Sequence, residues 1–189
     1  AGCADPDPRH AGRGFELLRA AGVAVETGLC EAGCRALIEP FAKRTAASLP
    51  WLTLKLALTL DGRIADRRGR SKWITGAPAR AWVQRLRRRA DAIMVGAGTV
   101  IADDPGLQCR LRGAGAAWRV IVDGRGRLPP RARVLRDPWA ARTVVAVTPA
   151  GERALRRALP GDCPARLWSF PADRAGRIPV RELLARLAG

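Results

Sequence analysis

Lys55 stands in a run where every even residue from Leu52 to Leu60 is Leu and the odd ones are Trp51, Thr53, Lys55, Ala57 and Thr59. An ammonium on such a strand is either a solvated edge charge or a cation aimed into a cleft, where it would steady the oxygens of a ligand. Thr99 and Asp103 lie four apart, just after Gly96-Ala97-Gly98. On a helix they share a face. There a hydroxyl beside free backbone N–H groups suits phosphate or ribose, and one carboxylate accepts from ribose hydroxyls. As a loop, the same string is a solvated turn. Arg87 and Arg110 offer planar forks for a phosphate, against a background in which only three of 34 basic residues are Lys and the rest are Arg. Gly96-Ala97-Gly98 is half of a dinucleotide fingerprint, since Ile101 stands where the third Gly belongs. His10 is the only histidine and no Cys-x-x-Cys occurs. Cys3, Cys30, Cys34, Cys109 and Cys163 therefore read as reduced thiols, and no metal site is expected.

These groups need elements to hold them. The strict alternation from Trp51 to Leu60 predicts a strand whose Leu side enters a core and whose other side floors a ligand cleft. Asp61-Gly62 ends it. Before it, helices are expected at Phe15–Ala21 and Glu31–Ala47, with a short strand at Val23–Val25. Ser48-Leu49-Pro50 breaks the second helix, and a domain boundary falls there, because the preceding piece is too small to bury its own core. After it, a helix is expected at Ala77–Arg89 with Pro78 in its first turn. Strands follow at Ala92–Val95, Arg119–Val122, Thr143–Val147 and Arg166–Ser169, and helices at Gly151–Leu159 and Val180–Leu187. Arg125–Arg136, with Pro129-Pro130, reads as loop. Strands alternating with helices argue an α/β fold with a mainly parallel sheet.

At 189 residues and 48% apolar, the chain has room for one full domain and part of another. No apolar run approaches the ~20 residues that span a bilayer, so no membrane partner is expected. A net charge of +17 invites a nucleic-acid reading. Against it, the arginines are spread evenly, Tyr is absent and only three Phe occur, which leaves few stacking platforms for bases. The start, Ala1-Gly2-Cys3, lacks Met and any secretory pattern. It reads as a cut into a longer, cytoplasmic protein.

Several strings together resemble the bifunctional riboflavin-biosynthesis deaminase–reductase family, RibD. They are Asp5-Pro6-Asp7-Pro8 with Gly12-Arg13-Gly14, Ala21-Gly22-Val23, Lys55-Leu56, Leu60-Asp61-Gly62-Arg63, Ser71-Lys72-Trp73-Ile74-Thr75, Thr99-Val100-Ile101-Ala102-Asp103-Asp104-Pro105 and Val120-Ile121-Val122-Asp123. The resemblance implies a dihydrofolate-reductase-like, mainly parallel sheet flanked by helices over residues 48–189. It implies a short α/β remnant of a cytidine-deaminase-like domain over residues 1–47. The zinc-binding motifs of that family's deaminase domain have no counterpart here, so deamination is not expected.

The implied reaction is NADPH-dependent reduction of 5-amino-6-(5-phosphoribosylamino)uracil to the ribitylamino product. The implied cofactor contacts are Ala57, Trp73, Thr99, Asp103 and Gly124, the last where the family often has Ser. The implied substrate contacts are Ser71, Arg87, Leu107 and Arg110, with Lys55 near the reacting sugar. The expected assembly is a homodimer through the reductase domain. One departure stands out. The family's later acidic-x-Gly motif is absent and the sequence ends at Gly189, so an incomplete site is expected. The rival readings are a basic nucleic-acid-binding module and an inactive fragment.

Overall fold

The computed structural model describes residues Ala1–Gly189. In chain order its elements are α1 (Arg13–Ala20), α2 (Glu31–Ala47), α3 (Ala77–Arg89), β1 (Ala92–Gly96), α4 (Ala97–Asp103), β2 (Trp118–Val122), α5 (Arg133–Arg136), a short 3₁₀ turn at Ala140–Arg142, β3 (Thr143–Val147), α6 (Pro149–Ala158), β4 (Arg166–Ser169) and α7 (Val180–Ala188). They fall into two compact units. One comprises Ala1–Leu54 with Val180–Gly189, and the other Lys55–Pro179.

The second unit is built on one sheet, ordered β1-β2-β3-β4, with every neighbouring pair parallel. A parallel strand needs a crossover, and α4, α6 and the segments around them supply it. β3 has neighbours on both sides and is buried at every residue. Its composition, a hydrogen-bonded Thr followed by the apolar Val-Val-Ala-Val, is what a strand covered on both faces requires. Ile121, Val145 and Val147 meet Val100, Leu128, Val134, Leu135 and Leu155 in one core. Each such fully buried side chain stabilises the fold by roughly 1.5–3 kcal/mol before the loss of conformational entropy is counted.

Helix ends follow local chemistry. Thr148 caps α6 by accepting from the Gly151 N–H at 3.2 Å, with Pro149 in the first turn. Glu152 pairs with Arg156 one turn along. α3 has Pro78 in its first turn and Arg87, Arg88 and Arg89 in its last, where cations suit the helix dipole.

Three expectations need correction. Residues 51–60 form no strand, and their leucines are exposed: Leu54 at 79% and Leu56 at 59%. Alternation describes a side-chain pattern, but a strand exists only through a ladder. β1 to β4 pair among themselves and none pairs with this segment. Only its end is ordered by hydrogen bonds, in a turn where the Thr59 N–H donates to Arg63 O at 2.9 Å and the Gly62 N–H to Thr59 O at 2.9 Å. Val23–Val25 is likewise unpaired and irregular. The stretch Arg125–Arg136 is not all loop. Its last four residues close one helical turn, α5, which buries Val134 and Leu135. Those two side chains gain more from the core than the preceding Pro-Pro pair withholds from the backbone.

Candidate active site

The register aligns Gly96 with Val122, and Val122 with Ala146. The carboxyl ends of β1, β2 and β3 therefore share one rim of the sheet, where open α/β sheets receive ligands. Three backbone turns leave that rim. After β1, the chain passes Gly96 into α4. An added Cβ at Gly96 or Gly98 would meet nothing within 4 Å, so this backbone is open to an approaching molecule. Thr99 and Asp103, one turn apart on α4, are both exposed. After β2 comes Asp123-Gly124. The Thr148 hydroxyl, just beyond β3, donates to Gly124 O at 2.6 Å and so ties the second and third turns together. Gly124 has room for a side chain: a Cβ there would rest 3.5 Å from Ile178 Cγ1, ordinary contact.

A second group lies on α3 and the loop Gly106–Arg110. Arg87 is half-buried, and its Nη1 donates to Gln108 O at 3.3 Å. Burial first, and the charge of Arg110 second, push the Arg87 guanidinium below its ordinary value, with Cys109 partly offsetting both. Neither arginine is ion-paired with a carboxylate. The Arg87 guanidinium thus lies within the field of Arg110 with no acid paired to either, a local excess of positive charge that suits an anion. The loop that presents Arg110 is fastened along its length. Gln84 Oε1 accepts from the Arg110 N–H at 2.9 Å, the Cys109 thiol contacts Gln84 O at 3.3 Å, and Gln108 Nε2 donates to Ala117 O at 3.3 Å.

Leu107 is buried at the centre of this loop with φ near +60°. The Gln108 N–H donates back across it to Gly106 O at 2.8 Å, a three-residue turn in the rare γ-turn sense. Such a conformation costs about 1–3 kcal/mol and persists only where surrounding contacts impose it.

The remaining expected residues are placed as follows. Trp73 is largely exposed, with the Arg80 guanidinium 4.3 Å from its ring centroid, while Arg80 Nη1 also donates to Thr75 O. Ser71 is half-buried. Lys55 is exposed and has neither hydrogen bond nor ion pair, and Ala57 is half-buried on the same irregular segment. No hydrogen bond, ion pair or ring contact joins Lys55, Ala57, Ser71 or Trp73 to the arginine pair or to Thr99. The structure thus brings together Arg87, Leu107 and Arg110, and aligns Thr99 and Gly124 on one rim. Two concavities, of about 520 and 420 Å³, lie elsewhere and contain none of these residues.

Sequence reading missed the residues that hold the loop. Gln84 sits three before Arg87 on α3, and that spacing was a usable signal. Arg119, the buried arginine of β2, gave no signal among so many other arginines.

A parallel sheet with helical crossovers and three turns on its carboxyl rim defines the open α/β class, whose members receive ligands at that rim. Residues 50–188 match the family model described as the RibD C-terminal domain, and the chain belongs to that family. The riboflavin biosynthesis protein RibD of Bacillus amyloliquefaciens is 38% identical over 185 residues, covering 97% of this chain and 48% of that protein. The RibD of Actinobacillus pleuropneumoniae is 43% identical over 145 residues, covering 77% and 39%. The solved deaminase/5-amino-6-(5-phosphoribosylamino)uracil reductase of Thermotoga maritima superposes with a TM-score of 0.81 at 34% identity, covering 99% of this chain and 49% of that one. The chain spans at most about half the length of these relatives. The fold is that of their dihydrofolate-reductase-like domain.

Proposed function

We propose that this chain carries the reductase chemistry of its family: NADPH-dependent reduction of 5-amino-6-(5-phosphoribosylamino)uracil to the ribitylamino product, a step of riboflavin biosynthesis. The observation that carries the reading is the arginine pair. Arg87 and Arg110, unpaired with any acid and set by a fastened loop, suit the substrate's phosphate. Ser71 and Leu107 complete that end of the substrate.

The rim turns fit the cofactor. Open backbone at Gly96 and Gly98 admits a bulky ligand, Thr99 offers a hydroxyl, and Asp103 offers a carboxylate for ribose hydroxyls. Gly124 lies on the same rim, and Ala57 and Trp73 complete the set. When bound, NADPH supplies a hydride for the carbon exposed by opening of the aminosugar ring. The chain's own residues position and steady the substrate. Arg87 and Arg110 hold the phosphate end, Lys55 steadies the sugar oxygens, and Asp103 orients without moving a proton. On this reading residues 1–47 close a deaminase-like domain, residues 48–189 belong to the reductase domain, and the assembly is a cytoplasmic homodimer through the latter.

The test is calorimetric titration with ribose 5-phosphate and, separately, with NADPH. Loss of a charge-assisted contact at Arg110→Ala is expected to weaken ribose 5-phosphate by about tenfold or more and to leave NADPH affinity in place. No measurable affinity of the unaltered chain for either ligand, with salt-sensitive binding of single-stranded RNA instead, would overturn the assignment.

A further inference from the structure

Arg119 is fully buried on β2, and every N–H of its guanidinium has an acceptor. Nε donates to Thr143 Oγ1 at 3.0 Å. Nη2 donates to Val134 O at 2.9 Å and Asp137 Oδ1 at 2.8 Å, and Nη1 donates to Asp137 Oδ2 at 2.6 Å. The last donor, also on Nη1, reaches Gly106 O at 3.2 Å. Thr143 Oγ1 in turn donates to Val134 O at 2.7 Å, which closes the network. Four of the five bonds join β2 to β3, α5 and the residue after it. The fifth leaves the sheet for the loop that ends at Arg110.

Gly106 precedes Leu107, the residue with φ near +60°, and Gln108 follows it. The two carbonyls that bracket this turn are therefore both held by guanidinium groups: Gly106 O by Arg119 and Gln108 O by Arg87. One of these arginines is buried, neutralised by Asp137 and has every donor engaged. The other is free of acids and available to an anion. Asp104 Oδ1 adds a tie on the same side by accepting from the Arg133 N–H at 2.7 Å.

We propose that Arg119, with Asp137 as its counter-ion, is a positioning residue for the phosphate subsite: it anchors the Gly106 carbonyl, holds the Leu107 turn and so fixes the spacing of Arg87 and Arg110. The proposal rests on the reading of those two arginines as phosphate ligands. Its distinguishing consequence is selective. Release of the anchor spoils the phosphate end and leaves the rim at Gly96, Thr99 and Gly124 as it was.

The main variant is the double substitution Arg119→Met with Asp137→Leu. Removal of both members of the pair leaves no orphaned charge, and the acceptors keep other donors: Val134 O from Thr143 and Gly106 O from Gln108. The companion variant is Arg119→Lys, which retains the charge for Asp137 but loses the fork that also serves Gly106. Each is titrated with ribose 5-phosphate and with NADPH, and amide hydrogen exchange is followed at Gln108 and Arg110. The expected result is a fall in ribose 5-phosphate affinity of about tenfold or more, unchanged NADPH affinity, and faster exchange at Gln108 and Arg110 than at β2 and β3. Unchanged affinity for ribose 5-phosphate in either folded variant overturns the proposal. So does an equal loss for both ligands, which would mark a general structural role. If the unaltered chain binds no ribose 5-phosphate, the phosphate reading itself fails, and this inference with it.

Discussion

β3 and the leucine run at residues 52–60 are both apolar segments of the kind that build sheets, yet one is wholly buried and the other largely exposed. β3 lies between β2 and β4, with α6 following it and Leu155 and Leu135 in the same core. The run has a cleaner alternation and no partner on either side. The difference teaches that side-chain pattern states what surface a segment would suit, while hydrogen-bonded neighbours and a covering layer decide whether that surface exists. Burial of a backbone without a ladder would leave its N–H and C=O groups unsatisfied, at a cost no row of leucines offsets.

The contrast is sharpest at single leucine and isoleucine positions. Ile121→Ala is expected to cost about 2–5 kcal/mol, since it empties a site at the centre of the core. Leu56→Ser is expected to change stability by no more than about 0.5 kcal/mol. Urea unfolding of both variants measures the pair. A comparable loss from Leu56→Ser would show the run packed in solution and break the comparison.

A finer version lies within one turn at the rim. An alanine Cβ at Gly126 would stand 2.2 Å from Gly151 O, on a backbone with φ +67°. Gly126→Ala is therefore expected to destabilise by at least about 1–3 kcal/mol. Gly124→Ser, two residues earlier, is expected to fall within about 0.5 kcal/mol, because a side chain fits against Ile178. Thermal midpoints of the two variants decide it. A large loss at Gly124 would place the rim closer to Ile178 than the structure does.

The smallest expected effect is electrostatic. The Arg156 guanidinium first, and the Ser169 hydroxyl second, hold Glu152 below its ordinary 4.5. A carboxyl depressed in the folded state is more protonated in the unfolded chain, so stability rises with pH across that interval. The contribution is fully present above the ordinary glutamate range and fades as pH falls through the lowered folded value. Glu152→Gln is expected to flatten this part of the thermal-midpoint profile between the sheet unit's neutral and acid limits. A profile unchanged by the substitution would mean that the exposed Glu152–Arg156 pair adds nothing in solution.

Much of the chain was legible beforehand, and for identifiable reasons. β1, β2 and β3 announced themselves as short runs rich in Val, Ile and Ala, and β4 lies at the expected Arg166–Ser169. α3 did so through Pro78 and its apolar spacing, whereas α6, expected from Gly151, begins two residues earlier at Pro149 under the Thr148 cap. A shared face for Thr99 and Asp103 was one of two readings of that string, the other being a solvated turn, and α4 supplies the helix the first required. Arg119 was not legible. Its role depends on Gly106, Val134, Asp137 and Thr143, which meet only when α5 and two strands come together. The helical turn of α5 was missed for the same reason, since its two buried residues answer to the core and not to their neighbours in the chain.

Sequence alone determined the family, the four strands of the sheet and the five longer helices to within about two residues. Those properties are local, carried by side-chain type and by contacts within about four residues. Tertiary structure alone decided that the leucine run stays unpaired, that one arginine is sealed and neutralised while another faces a like charge, and that the Leu107 turn is held at both carbonyls. These depend on distances between residues far apart in the chain. Loop closure and packing set such distances together, and no single segment specifies them.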